Sequence, residues 1–216
     1  LLNIHYKQWW RECSTTLSAM VSSKDIVILA IPDDKIAKFI HNNPALTEAK
    51  HLIHMSGTLE IASAYSVHPL FSFTEELHSL PTYRNIPFAL DSKSPDLSEL
   101  LPGLSNDCFR IQSKDRVKYH SMCVMGNNFT TILWQKLMHR FTQELKLPKE
   151  IGLRFMQQSF ASLTQNPDKA LTGPLVRNDQ QTIDKHLLEL EGDPLKKVYQ
   201  AFVTSYRQFS QENDKQ

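Results

Sequence analysis

The chain has 216 residues and a mass of 24.9 kDa, with 24 Lys and Arg against 23 Asp and Glu. A formal net charge of +1 argues against a general nucleic-acid binder, which carries a basic excess. The apolar fraction of 41% suits a core-forming chain, and the longest apolar runs, such as Ile26–Ile31, fall far short of the ~20 residues of a membrane span.

Cys13, Cys108 and Cys123 are widely spaced, and no CxxC pair occurs. A disulfide framework or zinc ribbon is therefore not expected, and free thiols in a reducing cytoplasm are. No basic-then-apolar leader opens the chain. Leu1–Ile4 has the pattern of a helix end, so we expect further chain to have preceded it. His5–Trp10 reads as a short strand ending at Arg11. The six glycines, at 57, 103, 126, 152, 173 and 192, lie far apart, so these residues hold no GxGxxG or Walker loop.

Asp25–Ile31 is a β-branched apolar run stopped by Pro32-Asp33-Asp34. Such a run predicts a strand buried on both faces, hence a parallel sheet covered by helices. Asp33 or Asp34 is placed to cap a helix over 35–42, with Ile36, Phe39 and Ile40 on one face. Further strands are predicted at His51–His54, Tyr65–His68, Pro87–Leu90 and Cys108–Gln112, with a short helix over Pro95–Leu101. This alternation is the pattern of a doubly wound α/β sheet.

The pattern changes after Ser113. From Val117 to Leu145, apolar and polar positions including His120, Asn127 and Trp134 recur every three or four residues. That spacing predicts one helix of roughly nine turns at 3.6 residues each. Helices follow over 149–163, 179–190 and 195–211. The expected division is a sheet domain over 1–113 and an all-helical domain over 114–216.

Three places could carry chemistry. His120 and Asn127 are seven residues apart, on one face of a regular helix, beside Gly126. A His shuttles protons near neutral pH and an Asn orients carbonyls, although both also serve as hydrogen-bonded core polars. The loop from Ala170 to Asp179 contains Thr172, Gly173, Pro174 and Arg177 just before a helix that Asp179 can cap. It suits anion contact or simply a turn with a structural ion pair. Arg11, after Trp9-Trp10, could meet a nucleotide phosphate or pair with Glu12. His51, His54, His68 and His78 form no HxH or HExxH, so no metal site is expected.

An ordered series of segments carries a family resemblance. It runs through His54-Met55-Ser56-Gly57, Ser66-Val67-His68-Pro69-Leu70-Phe71-Ser72-Phe73, Tyr119-His120 and Gly126-Asn127-Asn128. It ends with Leu171-Thr172-Gly173-Pro174-Leu175-Val176-Arg177-Asn178-Asp179, Thr182 and His186-Leu187. The series resembles bacterial Rossmann-like oxidoreductases with a C-terminal helical domain of unknown function. That group is similar to pyrroline-5-carboxylate reductases, 6-phosphogluconate and β-hydroxyacid dehydrogenases and ketopantoate reductases.

The resemblance implies a Rossmann-type doubly wound parallel sheet followed by a helical dimerisation domain. The first strand and glycine-rich loop of such a sheet do not occur in these residues. It implies an NADP cofactor rather than NAD, bordered by Ala30, Ile31 and Pro32. It places Ser56, Gly57, His68 and Pro69 beside the nicotinamide or substrate, and His120, Asn127, Thr172, Gly173 and Arg177 at an interdomain cleft. The expected activity is hydride transfer to or from a small carbonyl, imine or hydroxy acid. His120 would serve as acid or base, Asn127 and Ser56 would orient substrate, Arg11 would meet the cofactor phosphate and Arg177 a substrate anion. The catalytic Lys that β-hydroxyacid dehydrogenases place shortly before an Asn is replaced here by Cys123 and Val124. A cytoplasmic homodimer with a small-molecule substrate, and no nucleic-acid or membrane partner, completes the expectation. The alternative is a non-catalytic nucleotide-binding or regulatory homodimer of the same fold.

Overall fold

The computed structural model describes residues 5–10, 13 and 15–213, the side chains of 212 and 213 excepted. Five strands form one sheet: β1 (Ile26–Leu29), β2 (His51–His54), β3 (Tyr65–Pro69), β4 (Phe88–Asp91) and β5 (Cys108–Ile111), in the spatial order β1-β2-β3-β4-β5. β1, β2 and β3 are parallel neighbours, and β4 runs parallel to β5. One pair departs from an all-parallel sheet. β4 returns antiparallel to β3, with Val67 opposite Leu90 and Pro69 opposite Phe88. Between them lies α2 (Leu80–Arg84), whose N-cap Ser79 accepts a hydrogen bond from the Thr82 amide. The other sheet-unit helices are α1 (Asp33–Asn42), α3 (Leu97–Leu100) and α4 (Arg116–Cys123).

Strand periodicity of two sorts the sheet residues onto two faces. One face buries Ile53, Val67, Phe88 and Leu90 against Leu97 and Leu100 of α3. The other buries Leu29 and Leu52 against Ile36 and Ile40 of α1, with Leu46 from the turn that follows. On that second face, level with the carboxyl end of β2, the residues turn polar: His54, its β3 neighbour Ser66, and Asp91 of β4.

Three local expectations are corrected. Residues 5–10 form no strand: the Trp9 indole N–H donates to the Thr15 carbonyl at 3.0 Å, and the ring packs on Phe39, so local turns satisfy this segment. Neither Asp33 nor Asp34 caps α1. Pro32 holds the cap position and both acids lie in the first turn, where they suit the helix dipole. The long helix is not regular. α4 passes into a π-helical turn over Val124–Phe129 before α5 (Thr130–Gln143). Gly126, Asn127 and Asn128 are weak α-helix formers, and the Thr130 hydroxyl donates toward the Gly126 and Asn127 carbonyls at 2.7 and 2.9 Å.

The chain divides into two compact units, Leu1–Leu133 and Trp134–Gln216. The second contains the end of α5, then α6 (Lys149–Gln165), α7 (Gln180–Glu189) and α8 (Leu195–Asn213). Gly152 lets α6 approach α5 closely, because a methyl there would overlap Met138 and stand 3.2 Å from the Phe141 ring. Trp134 packs on Phe155 and Phe160, with centroids 5.7 and 6.2 Å apart. Asp179 caps α7 by accepting from the Thr182 amide at 3.1 Å. Among the described residues, no helix is long and apolar enough to cross a membrane.

Candidate active site

The carboxyl ends of β1, β2 and β3 meet at the turn that follows β2, and ligands of open α/β sheets bind at such strand ends. The turn is Ser56-Gly57-Thr58, and Ser56 holds it rigid. Its buried hydroxyl donates to Asp33 Oδ2 at 2.5 Å and accepts from the Thr58 and Leu59 amides at 3.2 and 3.1 Å. Its carbonyl accepts the Ser66 hydroxyl at 2.6 Å. The Ser56 hydroxyl is therefore committed within the turn.

Gly57 is the floor on which two imidazoles sit. A methyl at this position would overlap the His120 ring and stand 3.0 Å from Cδ2 and 3.1 Å from Nε2 of His68. The two rings meet edge to face, 5.5 Å between centroids. Tyr119 stands beside them, its hydroxyl 2.9 Å from His68 Nδ1. Phe109 of β5 packs edge-on against the Tyr119 ring. Tyr119 and His120 come from α4, and His68 from the end of β3.

A buried ion pair fixes where α4 begins. Arg116, at its first position, is wholly buried. Its Nε donates to Asp91 Oδ1 at 2.7 Å, its Nη2 lies 2.6 Å from the same oxygen, and its Nη1 reaches the Gly57 carbonyl at 3.4 Å. Asp91 Oδ2 accepts the Ser66 amide at 2.7 Å. One set of hydrogen bonds thus ties the N-terminus of α1, the Gly57 turn, β3, β4 and α4 together. Asp91 and Arg116 escaped the sequence reading because their pairing spans 25 residues. The available signal was period-two alternation, which puts Asp91 on the same face as Ala89.

Burial sets the protonation of this site. Desolvation, aided by the neighbouring His120 and Arg116, pushes His68 down to about 4, so the ring is neutral at physiological pH. Burial also lowers His54, which is fully enclosed with neither ring nitrogen hydrogen-bonded. Burial first, then a hydrogen bond with Cys123, raises the Tyr119 hydroxyl and keeps it protonated.

Ser56, Gly57, His68, Pro69 and His120 thus gather at the ends of β2 and β3. Ala30, Ile31 and Pro32 border the end of β1. Asn127 is exposed within the π turn, whose wider winding offsets it from the face it would share with His120 in a regular helix. Thr172, Gly173 and Arg177 belong to the helical unit. There Gly173 has φ +92°, and the Arg177 amide closes the turn onto the Gly173 carbonyl at 3.2 Å. Arg11 lies outside the described residues. The three cysteines are free thiols, and among the described residues no three His, Cys, Asp or Glu side chains are grouped to hold a metal ion.

Solved structures share this fold. A Bacteroides fragilis protein described as a "putative NADP oxidoreductase" is 22% identical, with a TM-score of 0.71 over 90% of this chain and 80% of its own. A Thermotoga maritima protein is 24% identical, with a TM-score of 0.65 over 89% and 81%. Pyrroline carboxylate reductase from Plasmodium falciparum, solved with NADP bound, is 14% identical with a TM-score of 0.49 over 88% and 82%. No curated protein matches by sequence. The likeness establishes a Rossmann-like, mostly parallel sheet followed by helices. A family model described as "Domain of unknown function (DUF2520)" matches residues 86–206, more than half of the sequence, and the chain belongs to that family.

Proposed function

We propose that the protein is an NADP-dependent oxidoreductase that passes hydride between the nicotinamide and a small carbonyl, imine or hydroxy compound. The observation that carries this reading is the pair of imidazoles, His68 and His120, packed on Gly57 at the carboxyl ends of parallel strands. The fold shared with the Bacteroides protein supports it.

The residues present fit the nicotinamide end of such a cofactor. The end of β3 offers His68 beside an open apolar groove that includes Met55 and Pro69. They do not make a phosphate site at the start of α1, where Asp33 and Asp34 stand. Arg11 is the residue proposed to meet the 2′-phosphate that distinguishes NADP from NAD. When bound, the cofactor supplies the hydride. This chain's residues would do the rest. His120 holds or releases a proton at its imidazole, the Gly57 turn brings the backbone close, and the Asp91–Arg116 pair keeps α4 in register. Asn127, Thr172, Gly173 and Arg177 are proposed as substrate contacts, Arg177 for an anionic group.

The assembly we propose is a cytoplasmic homodimer joined through the helical unit. Ile183 and Val203 are the only buried apolar side chains among its described residues, while Phe155 and Phe202 are 53% and 58% exposed. A unit with so little internal core needs a partner surface, and an isologous copy offers the same apolar helices.

Thermal unfolding with NADPH and NADH tests the activity. A ligand that binds only the folded state at 100 times its Kd adds about 2.7 kcal/mol of stability. NADPH should raise the midpoint more than NADH, and His120→Ala should keep that shift while losing turnover. No shift with either nucleotide would end the redox reading. A shift without turnover across a carbonyl panel would favour the non-catalytic nucleotide-binding dimer, the reading that the committed Ser56 hydroxyl supports.

A further inference from the structure

We propose that His68 acts with His120 as a two-imidazole site for one oxygen of the substrate, and that the compound reduced or oxidised belongs to a carbonyl–alcohol pair and not to an imine–amine pair. The inference rests on the oxidoreductase reading; it adds a second catalytic residue and narrows the substrate class.

The two rings come from different elements and meet on one face of the sheet. Val67 belongs to the face that α3 covers, so His68 shares the opposite side with Leu52, His54 and Ser66. Gly57 brings the ring edges together there. A Cβ at Gly57 would overlap Cδ2 of His120 and touch Cδ2 and Nε2 of His68. Cδ2 adjoins Nε2 in an imidazole, so the Nε2 sides of both rings surround one point. These nitrogens are open. Both side chains are half-buried, and among the described residues neither His68 Nε2 nor either nitrogen of His120 is hydrogen-bonded or enclosed, in contrast to His54. The neighbouring polar side chains are engaged: Ser56 with Asp33, Ser66 with the Ser56 carbonyl, Asp91 with Arg116. Tyr119 anchors His68 by its other nitrogen, at 2.9 Å, and so sets the direction of the ring.

Two converging N–H groups match an acceptor with two lone pairs. A carbonyl oxygen has both, whereas an imine nitrogen has one and leaves one ring unpaired. Two imidazolium ions with centroids 5.5 Å apart repel, so the pair holds one excess proton. Burial disfavours a charge on His68, which leaves that proton to His120. The other charged groups acting on His68 are Arg116, neutralised by Asp91, and Asp33, which accepts from Ser56. In this arrangement the Tyr119 hydroxyl donates to Nδ1, and the His68 proton sits on Nε2. As hydride from NADPH reaches the carbonyl carbon, the C–O π electrons move onto oxygen. The oxygen takes the proton of His120 Nε2, whose N–H electron pair stays on the ring. The product hydroxyl then accepts from His68 and donates to the neutral His120, so both states are fully paired, and solvent returns the proton to half-buried His120.

The test is long-range ¹H–¹⁵N spectroscopy of the full chain with labelled histidines. The probes are 1-tetralone and the imine of the same bicyclic shape, 3,4-dihydroisoquinoline, each added with and without NADPH. Tetralone should shift Nε2 of both His68 and His120 along one binding curve, and the imine should need at least about tenfold more. His68→Leu should weaken the tetralone response about tenfold, and His68→Gln, which keeps an N–H, should recover most of it. In His120→Gln, His68 should take up a proton at higher pH than in the wild type, because the repelling ring is gone. A response at one histidine alone or at neither, equal affinity for the imine, a His68 proton on Nδ1, or a His68 titration unmoved in His120→Gln would each overturn the proposal. If His68→Leu does not fold, the wild-type signals and the Gln variants still decide. NADPH binding is read separately from amide shifts. Paired histidine responses in a protein that ignores NADPH would support the oxygen site and remove the redox reading. NADPH shifts with silent histidines would overturn the oxygen site and leave the redox reading standing.

Discussion

The two units solve the problem of burial in opposite ways. The sheet unit closes on itself: Ile53, Val67, Leu90 and Leu100 are buried on one face, and Leu29, Leu52, Ile36 and Leu46 on the other. It can then enclose polar groups between rigid strands, including a wholly buried Arg116 and an unpartnered His54. The helical unit does the reverse. Its helices present Phe155, Phe160, Phe202 and Phe209 to the surface and hold together through aromatic contacts and local pairs such as His186 with Tyr199. Chemistry needs fixed groups in a low-dielectric setting, and the proposed active site accordingly uses the unit that owns a core. The other unit leaves its apolar side chains exposed, and is the one for which we propose association.

The sheet unit depends most on Arg116. Arg116→Met leaves the Asp91 carboxylate without its partner inside the sheet unit, and should cost about 3–5 kcal/mol. Urea unfolding reads this directly, and a loss under 1 kcal/mol would show that the pair is not what fixes α4. Next comes the helical unit. Phe202→Asp should weaken self-association by at least about 2 kcal/mol and yield monomers by light scattering at micromolar concentration, with the sheet unit still folded. A wild-type protein that is already monomeric there would remove the basis of the contrast.

The third expectation concerns pH. His68 titrates lower folded than unfolded, so between about pH 6.5 and 4 the unfolded chain takes up a proton that the folded chain refuses. Stability is therefore full above about 6.5 and falls as the pH drops toward 4. Allowing for solvent around a half-buried ring, the loss is on the order of 1–2 kcal/mol. His68→Gln should flatten that slope, and an unchanged slope would place the sensitivity elsewhere. The smallest effect is in the helical unit. Asp179→Ala removes the α7 cap and should cost about 1 kcal/mol, read as a lower unfolding midpoint.

Legibility in the sequence followed the range of the interactions. The strands at 26–29, 51–54, 65–69, 88–91 and 108–111 announced themselves through apolar runs broken by Pro, Asp or Gly, and all five formed. The helices at 149–165, 180–189 and 195–213 did so through their spacing. His5–Trp10 misled, because two tryptophans and a tyrosine have strand propensity but no neighbouring strand to pair with among the described residues. The π turn was hidden because a period of 3.6 was carried across Gly126-Asn127-Asn128 without regard to their propensity. In the site, Gly57, His68 and His120 were named from sequence, but Asp91, Arg116 and the His68–Tyr119 bond were not read. Each joins residues 25 or more positions apart, and one chain carries no local trace of such a pairing.

The most direct measurement is an amide ¹H–¹⁵N map of the protein during titration with NADPH. Saturable shifts concentrated at Ala30–Asp33, Ser56-Gly57, His68 and Tyr119-His120 are the result this account predicts. An unshifted map, or shifts confined to the helical unit, would contradict the claim that the strand ends around Gly57 form the nucleotide-dependent active site.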